Sequence, residues 1–324
     1  MSTFPDQVLQ FGGVPTGDIM ALGMGNVYYV IQSTNDAYVR FVGERQGYYK
    51  DGSKRVHTTI ASALSATVAE RNDYVIVMPD NADYDITTTL TMDKKCVHLI
   101  CPAGLGYDVG ANNAARIHQA TADTPIITLA SGSASCEIAG FYFKNTASTA
   151  AAGATIYAES GGGYCSNIHN NHFAMVVSGG TNSPSIAQAN DGLLYSTIHG
   201  NRFITTTGTS ATIAAVIYIQ GPATGATVNS NDFVISNTCT ATTLINNNAV
   251  MGSIKFNTGT ACGADSGGVG EGQITNAFTI RTSGSCIGNM AAVKTATLIS
   301  GGTASQSFCF NWDGITTIPE VIVD

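Results

Sequence analysis

Apolar residues return along this chain at a long, constant interval. Four segments align without a gap: Ile138-Ala-Gly-Phe-Tyr-Phe143, Ile168-His-Asn-Asn-His-Phe173, Ile198-His-Gly-Asn-Arg-Phe203 and Val228-Asn-Ser-Asn-Asp-Phe233. Successive copies start 30 residues apart, and a looser fifth, Ile254-Lys-Phe-Asn257, follows after 26. A second apolar column, Ile126, Ile156, Ile186 and Val216, keeps the same period. Two independent columns with one period of this length mark a repeat architecture.

The unit reads as strand, turn, strand. Its two apolar ends lie five residues apart, so an unbroken strand would point them to opposite faces. A tight bend returns both to the interior. Asn is expected to supply that bend, because it tolerates the left-handed conformation and bonds its own backbone. Gly140, Asn170, Gly200 and Ser230 stand directly before the bend position. The segments show no helical stripe. Strand-and-turn repeats of this size form solenoids in which each coil lies on the last at about 4.8 Å. Three interior ladders are then expected: Ile138, Ile168, Ile198 and Val228; Phe143, Phe173, Phe203 and Phe233; and Asn171, Asn201, Asn231 and Asn257. The Gly-, Ser- and Ala-rich stretches 145–154, 178–185, 206–212 and 221–226 are expected as loops.

Ile-x-x-Asn-x-Phe at coil spacing resembles the right-handed parallel β-helix of the pectate-lyase superfamily, which includes bacteriophage tailspikes and other virion proteins. The resemblance spans roughly residues 56–300. It implies an all-β, single-stranded, right-handed parallel β-helix with an N-terminal cap helix. The flanks agree. Val56, Ile60, Leu64 and Val68 recur every four residues, predicting a helix at about 58–71, with Thr58 or Thr59 as N-cap and Arg71 at its negative end. A solenoid needs such a lid because its last coil exposes apolar columns and strand edges. Residues 1–55 read as an arm or docking region containing a strand-like Val27-Tyr-Tyr-Val-Ile31. Residues 301–324, with the only Trp, read as a C-terminal cap.

Composition narrows the function. Of the 324 residues 11% are charged, against about 25% in an ordinary domain. The net charge is −8, and residues 121–324 hold only 5 Lys/Arg and 10 Asp/Glu. So few basic groups argue against nucleic-acid binding. No apolar run is long enough to span a membrane, and the start, MSTFPDQVLQFGG, lacks the form of a signal peptide. The eight cysteines contain no C-x-x-C pair, which reads as buried free thiols in a reducing cytoplasm and not as a zinc site. No cofactor and no metal is expected. Gly161-Gly-Gly and the Gly-rich 267–272 read as turns, and His98 and His118 as structural.

The period also lines up outward positions. Tyr142, His172, Arg202 and Asp232 should form one column, with His169 and His199 in another. His169, His172, His199, Arg202 and Asp232 are therefore the candidate patch for a glycan groove or catalysis. A glycosidase needs two carboxylates about 5 to 9.5 Å apart. Stepping 30 residues either way within the repeat from Asp123, Glu137, Glu159, Asp191 or Asp232 meets no second carboxylate. The clustered Asp ligands and nearby base of pectate lyases are missing too, so the resemblance carries no catalytic residues over.

The reading that follows is a non-enzymatic bacteriophage virion structural protein. Its expected form is a capsid decoration (cement) protein, located in the virion and assembled in the host cytoplasm. The arm would dock it to the major capsid protein or another virion protein, and the low-charge wall suits a homotrimer. The alternative is a tailspike-like depolymerase, lyase or hydrolase, or a glycan-binding adhesin, acting on host surface polysaccharide through the patch.

Overall fold

The computed structural model describes residues 25–43, 48–49, 51–105, 114–121, 123–145, 153–176, 180–206, 211–221, 224–236, 239–262, 273–281 and 283–291, and the short strands at 10–11, 14–15, 299–300 and 308–309. It is a parallel β-solenoid. Each coil gives one strand to each of three parallel sheets of ten, eleven and eight strands. A representative coil runs through Ile186–Gln188, Thr197–His199 and Arg202–Thr206.

The expected ladders are in register. Ile138 pairs with Ile168, then Ile198, Val228 and Ile254 in the eleven-stranded sheet. Phe143, Phe173, Phe203 and Phe233 pair in the eight-stranded sheet, with neighbouring ring centroids 4.6 to 5.2 Å apart. All of these side chains are buried, and each contributes about 1.5–3 kcal/mol of apolar burial.

The second apolar column departs from the sequence expectation at both ends. Its in-register members are Ile127, Ile156, Ile186 and Ile217. The Thr155 carbonyl accepts from both Ile126 N and Ile127 N at 3.0 Å, a bulge-like doubling that absorbs one residue. Ile126 and Val216 are buried all the same.

The bend also divides its labour differently. The left-handed residue is the one before the repeated Asn: Gly140, Asn170, Gly200, Ser230, Phe256 and Gly288 all have φ between 52° and 81°. A second left-handed column, Ser135, Cys165, Tyr195, Gly225 and Met251, marks the other edge of the same sheet. The repeated Asn turns inward and forms the expected ladder. Asn171, Asn201, Asn231, Asn257 and Asn289 are buried and hydrogen-bond from coil to coil.

Near the N-terminus, strand Val27–Val30 lies in the eleven-stranded sheet between Val56–His57 and Asp73–Val77, so part of the region read as an arm belongs to the solenoid. A first helix, α1, spans Asp36–Gly43. The second, α2, spans only Ile60–Ala66, with Thr59 as N-cap accepting from Ser62 N. Val56 is in a strand and Val68 is exposed, so the fourfold spacing overstated the helix. Ile60, Ala63 and Leu64 of α2 join the main core. Lys94, not Arg71, meets its C-terminal end, donating to the Leu64 and Ser65 carbonyls at 3.0 Å.

Arg71 pairs with the buried Asp73 at 2.7 Å. Phe308–Cys309, placed by sequence in a cap, adds a further strand beside Ser285–Ile287; the other residues of 301–324 lie outside the described set. Stretches 178–185 and 206–212, expected as loops, carry residues of two paired strands, Gly180–Asn182 and Ala211–Ile213. Among the described residues no helix is long and apolar enough to cross a membrane.

Candidate functional site

Alternation along each strand sends every second side chain outward. On the eight-stranded sheet this builds a column of Arg116, Tyr142, His172, Arg202, Asp232 and Thr258, each in register with the next. The Asp232 carboxylate accepts from Thr258 Oγ1 at 2.8 Å and lies 3.5 Å from Arg202 Nε, both side chains being over two-fifths exposed. His172 is not solvated as its column position suggested. It is 9% exposed and packs on the Tyr142 ring at 4.6 Å.

His169 and His199 stand on a different wall, the outer face of the eleven-stranded sheet, where they are in register. Their rings stack at 4.9 Å and 2°. The five predicted residues thus divide into two groups on adjoining sheets, separated by the left-handed corner at 170, 200 and 230.

Each group has a feature that sequence reasoning missed. On the eleven-stranded sheet, Glu137 is in register with His98 on one side and Asn167 on the other. One carboxylate oxygen bonds His98 Nδ1 at 2.8 Å; the other crosses diagonally to His169 Nε2, also at 2.8 Å. His98 Nε2 in turn meets Asn72 Oδ1 at 2.7 Å, and its ring stacks on Tyr74 at 4.3 Å. Burial works to raise the Glu137 pKa, but the hydrogen bonds from His169 and His98 outweigh it and hold the carboxyl at about 2.

At the corner, Asn170, Gly200, Arg202, Ser230, Asp232 and Phe256 line a cleft of about 380 Å³. Phe256 is 61% exposed although its backbone is left-handed, an uncommon conformation for a bulky residue.

Two and three coils nearer the N-terminus from His172, Arg116 pairs with Asp83 at 2.6 Å and His118 with Asp85 at 2.8 Å. Ligand atoms of Asp83, Asp85 and His118 lie within 4.8 Å of one another. Two carboxylates therefore do meet on the wall, and His118 serves one of them. Arg116 already neutralises Asp83, and Lys144 is in register with His118, so the cluster is charge-balanced by its own side chains. Coil spacing here is 33 residues (Asp85 to His118), so 30-residue steps pass it by. The signal was the matched alternation of Asp83-Tyr-Asp85 with Arg116-Ile-His118.

The thiols divide as well. Burial pushes Cys136 up to about 11 and Cys286 up to about 12, which suits inert packing groups. Cys165 is exposed, against the expectation of burial.

No protein-family profile matches the chain, and no curated protein matches its sequence. Among solved structures it is similar to pectate lyase Pel9A, with a TM-score of 0.35 and 11% identity, over 88% of this chain and 78% of that one. It is also similar to ORF18 of Geobacillus virus E2, with a TM-score of 0.28 and 10% identity, over 78% of this chain and 56% of that one. A PL6 family polysaccharide lyase from Pseudopedobacter saltans gives 0.22 and 10%, over 82% and 95%. At these scores the likeness transfers neither residue nor activity, and the solenoid assignment stands on the sheet register alone.

Proposed function

We propose that this chain is a non-enzymatic virion structural protein of a bacteriophage, a decoration-type β-solenoid held on the capsid by its N-terminal region. The observation that carries this reading is how the candidate patch is used. His169, His199 and Glu137 bond and stack to one another, and His172 is buried under Tyr142. Asp232 is engaged by Thr258 and Arg202. Side chains committed to coil-to-coil contacts serve a rigid displayed rod better than they serve turnover. The sequence adds its Gly- and Met-rich segment at 12–25 and its sparsely charged wall. Purified protein should bind capsids and lose that binding when residues 1–24 are deleted, with the solenoid still folded. Binding that survives the deletion would overturn the docking role.

A second reading, a glycan-binding adhesin, draws on the corner cleft. Phe256 offers an exposed apolar face beside the hydrogen-bonding Arg202, Asp232 and Ser230, the combination that sugar rings require. Saturable glycan binding abolished by Phe256→Ala, with no product released, would favour it over decoration. Product release lost in Asp232→Ala would instead make the chain an enzyme.

A further inference from the structure

We propose that the chain of contacts from Asn72 through His98, Glu137 and His169 to His199 is an acid-responsive latch. It ties five consecutive coils of the eleven-stranded sheet at neutral pH and loosens when His199 gains a proton. Glu137, ionised, accepts from His98 Nδ1 and His169 Nε2, so both oxygens are taken up by rings other than His199. His169 spends its Nε2 hydrogen on Glu137, while its Nδ1 is buried with no partner. That atom suits a bare lone pair and offers a second N–H no acceptor.

His199 lies flat on this ring at 4.9 Å and 2°. In register on its other side is Asn229, and one coil beyond stands Lys255. The adjacent outward column contributes Asn167, Thr197 and Thr227, all neutral. The charged groups along these two columns are therefore Lys255, in the column of His199, and Glu137, in the adjacent column one coil beyond His169; Tyr74 and His98 close the far end.

A proton on His199 thus gains no carboxylate contact of its own, and it sits against a ring that shares in Glu137. Burial first, then His169, hold its pKa below the ordinary 6.5, with Glu137 opposing. A histidine depressed in the folded state contributes stability that is complete above its unfolded value and is lost as pH falls below that value. Glu137 keeps its charge throughout that range, so the loosening of this chain of contacts follows the proton on His199. This inference is independent of the docking role proposed above.

The test is hydrogen–deuterium exchange of the full chain at pH 7 and pH 5, corrected for intrinsic rates. Peptides covering 167–169 and 197–199 should exchange several-fold faster at pH 5, while peptides at 258–262 stay unchanged. His199→Asn should abolish the difference; Asn229 already occupies this column on the next coil. Equal corrected rates at the two pH values, or acid loosening retained in His199→Asn, would overturn the latch. Should the variant fail to fold, the His199 ring resonance of the unaltered protein decides: a midpoint below 6.5 supports the latch, and one at or above it refutes it.

Discussion

Asn201 Nδ2 donates to Asn231 Oδ1 at 3.0 Å, and the same oxygen accepts from Asn201 N, also at 3.0 Å. One side-chain carbonyl thus satisfies a side chain and a backbone amide of the coil before it. Asn201 repeats the arrangement downward, with Oδ1 accepting from Asn171 N and Nδ2, while its own Nδ2 also reaches the Ile168 carbonyl at 2.9 Å. Asn201→Ala would strand the backbone N–H of Asn171 and one N–H of its side chain in a dry interior. Unsatisfied buried groups cost about 1–3 kcal/mol each, so the variant should lose about 3 kcal/mol or more in urea unfolding. The exposed Asn190→Ala should move by less than about 0.5 kcal/mol.

The corner positions separate a backbone constraint from a side-chain one. Gly140 has φ +81°, and a Cβ there would come within 2.1 Å of the Cys101 carbonyl oxygen. At Gly200, φ +61°, the obstruction is 2.6 Å away and is only the end of the Asn170 side chain. Asn170 itself holds the same corner one coil earlier at φ 52°. Gly200→Asn should therefore stay within about 1 kcal/mol of the parent, whereas Gly140→Asn should cost about 3 kcal/mol or more or prevent folding. Thermal unfolding of the two variants decides this; equal losses would refute the distinction.

What the sequence made legible follows from periodicity. Ile168 and Ile198, Phe173 and Phe203, and His169 and His199 stand 30 residues apart and are in register, because identical side chains stack only when coil length is constant. The ladder through Asn171 was legible from the same period, but the residue that takes the left-handed turn was not. Either of two adjacent residues could take the left-handed turn, and only the structure assigns it to Asn170 and frees Asn171 for the ladder. The Glu137–His169 contact was hidden for another reason. Along its own column Glu137 meets Asn167, and it reaches His169 only diagonally, past the small Ala139. Asp85 and His118 escaped because their coil is longer than the repeat. The burial of His172 was hidden because column position fixes which wall a side chain belongs to and not what packs beside it.

Glu137 should dominate the protein's response to strong acid. Its carboxyl is held at about 2 against an ordinary 4.5, a depression that corresponds to about 3 kcal/mol. A depressed carboxylate contributes fully above its unfolded value and loses that contribution as pH falls from 4.5 toward 2. Glu137→Gln should therefore be destabilised at pH 7 and should unfold with a flatter pH dependence between 4.5 and 2.5. Urea midpoints measured across that interval test it. A variant running parallel to the parent would place the acid sensitivity on other carboxylates.

Asp73 fixes the first described coil, and its loss should be felt there alone. The carboxylate is fully buried and accepts from Asn26 N, Val68 N and, through both oxygens, Arg71, at 2.7–2.8 Å. Gly25 fits against it because a Cβ there would lie 2.2 Å from Asp73 Oδ1. Asp73→Asn swaps one acceptor for an NH2 group pointed at existing donors. Arg71 is about a third exposed and can turn to water, but the amides of Asn26 and Val68 are held in place by the backbone. Leaving one of them unmet should cost about 1–3 kcal/mol. Because each solenoid coil contacts only its neighbours, amide exchange should accelerate in peptides spanning 25–31 and 73–77, while those from 197–206 keep the parent's protection. Uniform acceleration along the chain would mean that the coils unfold as one unit, and this local account of Asp73 would fail.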